Sequence, residues 1–95
     1  MENVEALIIA VEKHRKVIGT KWITVLLFTI IKYPVKFNKL RQVLPTISAR
    51  TLSMSLVYMQ NKSLIIKEDD LYIITKTGSE TLTATLEYIK KLDSI

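Results

Sequence analysis

Between Lys13 and Lys67 the chain carries eleven Lys or Arg residues and not one Asp or Glu. The bases are Lys13, Arg15, Lys16, Lys21, Lys32, Lys36, Lys39, Arg41, Arg50, Lys62 and Lys67. All nine acids lie outside this stretch: Glu2, Glu5 and Glu12 before it, and Glu68, Asp69, Asp70, Glu80, Glu87 and Asp93 after it. The chemistry open to such a segment is electrostatic. It suits a polyanion, because each phosphate it neutralises releases condensed counterions. An ordinary solvated surface intersperses both signs of charge instead.

Bond-making chemistry finds no comparable support. The single His14 is surrounded by Lys13, Arg15 and Lys16 and cannot build a metal site alone. The chain has no Cys, so it offers no thiol nucleophile, no disulfide and no thiolate zinc site. One His and scattered carboxylates provide no nucleophile with an oriented base. No phosphate-cradling glycine loop is present. Glu68-Asp69-Asp70 supplies too few ligands for a calcium or magnesium site and reads as a solvated turn. No enzymatic activity and no cofactor are expected.

Ninety-five residues make one domain with a modest core, which a second copy would help to stabilise. A hydrophobic content of 48% and a single Trp fit a globular protein rather than a disordered tail. No basic region opens the chain as a signal peptide would require. The longest apolar run, Ile23 to Ile31, is interrupted by Thr24 and Thr29 and falls short of the roughly 20 residues a membrane span needs. The expectation is a soluble cytoplasmic protein with no membrane partner.

The elements that must position the bases follow from periodicity. Val4, Leu7, Ile8 and Val11 recur at helical spacing and predict a first helix over about 2–17. Gly19 breaks that pattern and Thr20 can cap a second, strongly apolar helix from Trp22 to Ile31, ended by Tyr33-Pro34. A short third helix runs from Phe37 to Leu44 with Phe37, Leu40, Val43 and Leu44 turned inward, and Pro45 stops it. Ser48 is a candidate N-cap for a fourth helix to about Asn61, with Leu52, Leu56 and Met59 as its buried stripe. Leu64 to Ile74 contains two short β-rich runs separated by Glu68-Asp69-Asp70, a tight hairpin. Thr75 caps a last helix over about 76–92, with Leu82, Leu86, Ile89 and Leu92 in one stripe. The architecture is mainly α with a small β-hairpin (α+β), a single winged helix-turn-helix domain over 1–95. The helix-turn-helix spans about 37–61 and the wing about 64–74. In this docking mode the second helix of the motif lies in the major groove and its N-terminal residues reach base edges.

Several stretches resemble a known family. Ile18-Gly19-Thr20-Lys21-Trp22, Phe37-Asn38-Lys39-Leu40-Arg41, Leu44 to Ser53 and Leu71 to Gly78 are similar, in order and spacing, to I-G-G-K-W, F-N-E-L-R, L-P-G-I-S-P-R-T-L-S and Y-x-L-T-E-K-G of the HxlR-type regulators, a branch of the MarR-like winged-helix proteins. The resemblance implies a DNA-binding transcriptional regulator, dimerised through its first and last helices. The chain departs from the family in lacking the cysteine that members often carry near the first helix, which excludes thiol sensing. Lys39 stands where the family has Glu. Met54, Ser55 and Tyr58 occupy a stretch where Gln and Arg are frequent. The wing is short, and its acidic tip is repelled by phosphate.

The site expectations follow. Arg50 can fork onto guanine O6 and N7 or hold a phosphate. Ser48, beyond its capping role, and Thr51 and Ser53 can donate to phosphate or base edges. Met54 and Tyr58 can each meet a thymine methyl, stack on a sugar or pack partly against the core, and core packing suits Tyr58 at least as well as contact. Lys36, Lys39 and Arg41 flank the helix that crosses the DNA backbone, and Lys67 is the wing base. Val4, Leu7, Ile8, Val11, Leu82, Leu86 and Ile89 are expected at the interface of a two-fold dimer that spaces two reading helices about one DNA turn apart. The function expected is sequence-specific binding of double-stranded DNA by a homodimer. The alternative is a protein-interaction module whose basic face meets an acidic partner.

Overall fold

Lys21–Ile30 (α1) sets Ile23, Leu26, Leu27 and Ile30 at i, i+3, i+4 and i+7, and all four are buried. The computed structural model describes residues 21–93, so the expected first helix, with Val4, Leu7, Ile8 and Val11, and the Thr20 cap lie outside the described residues. α1 is central: it packs on the helix bearing Leu52, on the hairpin and on the last helix. The Ile31 N–H still bonds to the Leu27 carbonyl at 2.9 Å before Pro34 turns the chain extended.

Val35–Lys36 (β1) is a two-residue strand that the sequence reading did not include. Two residues after a proline are too short to display a period of two. Phe37–Val43 (α2) follows at once, with Leu40 fully buried and Phe37 and Leu44 packed against the core. Val43, expected to point inward, is 44% exposed. At 100° per residue it lies about 60° beyond Leu40, on the side away from Phe37. Leu44 leaves the helix at φ −126°, ψ 67°, and is the residue that reaches the core.

Ile47 is buried in the turn and anchors it, its N–H bonding to the Leu44 carbonyl. Ala49–Asn61 (α3) then buries Leu52, Leu56 and Met59. Its C-terminus closes with the Leu64 N–H bonded to the Met59 carbonyl and the Ser63 N–H to the Gln60 carbonyl, with Ser63 at φ 60°. That paired geometry satisfies the last carbonyls, and the buried Leu64 and Met59 supply its apolar contact.

Ile65–Glu68 (β2) and Leu71–Ile74 (β3) pair antiparallel, Ile65 opposite Ile74 and Glu68 opposite Leu71. Glu68 belongs to the strand and not to the turn. Asp69 and Asp70 alone make the connection, at φ 50° and 65°, the type I′ geometry that matches strand twist. β1 adds to β3 with Val35 opposite Tyr72, giving a three-stranded antiparallel sheet of order β1-β3-β2. Val35, Ile65 and Tyr72 turn into the core.

Lys76–Asp93 (α4) begins where the Thr75 Oγ1 accepts from the Gly78 N–H at 3.0 Å, the expected cap. The Thr75 hydroxyl also donates back to the carbonyls of Ser63 and Leu64. Leu82 and Thr85 are buried, the Thr85 hydroxyl donating to the Thr81 carbonyl. Leu86, Ile89 and Leu92, the rest of the expected stripe, are exposed on this chain.

Candidate nucleic-acid interface

The turn between α2 and α3 fixes what α3 can present. The Ser48 Oγ accepts from the Thr51 N–H at 3.0 Å and donates to the Thr51 Oγ1 at 2.9 Å. Ser48 is therefore a cap whose hydrogen is committed to its own helix. The Thr51 hydroxyl accepts that bond and keeps its own hydrogen for an outside acceptor.

With Leu52, Leu56 and Met59 buried on one side, the opposite face of α3 carries Arg50, Ser53, Met54 and Val57, all exposed. Tyr58 lies on the flank, half-buried against the core, and Lys62 sits over its ring at 5.7 Å. That contact and its place at the helix end account for Lys62 without a ligand. Lys36, Lys39 and Arg41 are exposed along the start and length of α2.

Lys36 and Lys67, distant in sequence, line one shallow depression of about 220 Å³ together with Phe37, Asn38, Asp70 and Tyr72. The sheet brings them there, because β3 pairs with both strands that carry them. The Lys67 ammonium rests 5.4 Å from the centre of the Tyr72 ring, a cation–π contact that holds the stem across the sheet. The expected wing base and the base before α2 are thus one local site rather than two, and Asp70 at its rim lowers its net charge.

Asn38 and Val57 were absent from the sequence-derived site. Val57 had a readable signal, since it falls seven residues after Arg50 and three after Met54 on the outward face. Asn38 had none, because its place beside Lys67 depends on the pairing of β1 with β3. Among the described residues no group of three or more His, Cys, Asp or Glu side chains comes together to hold a metal. No described helix is long and apolar enough to cross a membrane.

The fold has close counterparts. Quinone-bound YodB from B. subtilis superposes with a TM-score of 0.80 at 17% identity, covering 90% of this chain and 98% of that one. The redox regulator HypR superposes in its oxidised form with a TM-score of 0.75, and in its reduced form with 0.74. Both forms are 25% identical to this chain and cover 90% of it, matching 96% and 91% of their own chains. No curated protein matches the chain significantly. Residues 17–93 match the family model of the HxlR-like helix-turn-helix, and the chain belongs to that family as a DNA-binding transcription regulator rather than an enzyme.

Proposed function

We propose that the chain binds double-stranded DNA sequence-specifically as a homodimer, with α3 in the major groove. The observation that carries this is the outward face of α3. Arg50, Ser53, Met54 and Val57 stand exposed on a helix whose other side is fully used by the core. Thr51 adds a hydroxyl beside them. Lys36, Lys39 and Arg41 take the phosphates that α2 crosses, and Lys67 takes one from the wing. The exposed Leu86 and Ile89 on α4, with the N-terminal Val4, Leu7, Ile8 and Val11, are the proposed contact with the second copy. HypR is described as a redox regulator, but this chain has no Cys with which to form a disulfide. Any response to oxidants would need another chemistry.

The test is fluorescence anisotropy of a labelled random-sequence duplex of about three turns at low and moderate salt. Each neutralised phosphate adds roughly 0.9 to the logarithmic salt slope. Six to ten contacts across a dimer cost on the order of 10³–10⁵ in affinity between roughly 50 and 200 mM salt. Arg50→Ala and Lys39→Ala each weaken binding and, by removing one phosphate contact from each copy of the dimer, flatten the slope by about two. The acidic turn Asp69-Asp70 weighs against a wing contact to phosphate and leaves a second reading, in which the basic face of α2 and α3 meets an acidic protein. Absence of any duplex binding at low salt would select it.

A further inference from the structure

The outward face of α3 is half apolar. Met54 is 62% exposed and Val57 55%, on the same face as Arg50 and Ser53. Neither is needed for packing. Met54 stands two residues from both Leu52 and Leu56, about 200° around the helix from each, and the inward stripe is complete without it. The charges nearby are of one sign. From Phe37 to Asn61 the chain holds Lys39, Arg41 and Arg50 and no carboxylate.

An acidic protein surface would satisfy those bases and leave the apolar pair facing charge. The major groove satisfies both. Its rims are phosphates, and each thymine presents a C5 methyl on its floor. Between Arg50 and Val57 the exposed polar groups are short hydroxyls alone, Ser53 on the face and Thr51 beside it. Guanine and adenine, which are read by long polar side chains, have little else to meet there.

We propose that Met54 and Val57 are specificity residues that read thymine 5-methyl groups. Each operator half-site then carries thymine about two base steps from the position met by Arg50. Four residues of helix advance about 6 Å, comparable with two base steps of ~3.4 Å, which sets the offset between the Arg50 and Met54 contacts. The inference rests on the groove assignment of α3.

The experiment starts from duplexes selected by the protein out of a random library. The best are resynthesised with deoxyuridine in place of thymidine, which removes the methyl and leaves every hydrogen-bonding group of the base pair. Anisotropy at one salt concentration compares the two. The native protein is expected to lose about fourfold in affinity for each methyl that was buried. The double variant Met54→Ala, Val57→Ala loses the same affinity on the thymine duplex and no longer distinguishes uracil. Its salt slope matches the native one, because neither residue holds a phosphate. Equal binding of thymine and uracil duplexes by the native protein overturns this inference and leaves the DNA reading intact. Failure to select or bind any duplex overturns both.

Discussion

At the scale of single residues, burial separates what the fold needs from what a ligand would meet. Gly78 is buried in the first turn of α4, where a Cβ would overlap the Leu64 carbonyl oxygen and press on the Ile74 side chain. The obstacle is backbone, so it cannot rotate away. Gly78→Ala is expected to destabilise by about 1–3 kcal/mol. In urea this appears as a lower midpoint with an unchanged m-value. Arg50, Ser53, Met54 and Val57 lie at the other extreme, since no core contact depends on them. Their exposure was legible in the sequence because the stripe Leu52, Leu56, Met59 fixes the rotation of α3, and everything opposite follows from the helical period. Val43 was misread for a related reason: in a seven-residue helix one buried Leu40 does not define the rotation, and Leu44 reaches the core by leaving the helix.

At the scale of elements, the wing is held by a turn whose residues fit it poorly. Asp69 and Asp70 both have positive φ, a region that Asn and Gly enter at lower cost than two aspartates. Asp69→Asn with Asp70→Gly is expected to raise stability by about 1 kcal/mol, a few degrees in thermal midpoint. It also removes two carboxylates from the tip, one of which lines the depression holding Lys36 and Lys67. Affinity for a random duplex at low salt should rise in the same variant, and an unchanged affinity would place the wing away from DNA. The hairpin itself was visible as two β-rich runs around acids. The strand β1 was not, because Val35 and Lys36 acquire their conformation from Tyr72 and Leu71 across the sheet and not from each other. The joining of Lys36, Asn38 and Lys67 into one depression was invisible for the same reason.

At the scale of the molecule, Leu86, Ile89 and Leu92 form a stripe on α4 that the described chain leaves in water. In the proposed dimer a second copy covers it. Leu86→Lys with Ile89→Lys is expected to give a monomer in sedimentation velocity at micromolar concentration. Helix content should persist, because neither side chain belongs to the core. The salt slope of DNA binding should fall to about half, since one copy reaches half the phosphates. A double variant that still sediments as a dimer places the interface elsewhere. The end of α3 and the start of α4 meet at a single bolt: the Leu64 carbonyl accepts from both the N–H and the hydroxyl of Thr75, and Gly78 lies flush against it. That joint ties the C-terminal end of α3 to the first turn of α4 through one carbonyl. In a dimer held along α4, a few degrees of tilt there would swing both reading helices like the points of a caliper. A molecule wedged between the copies could release DNA without touching the groove-facing surface.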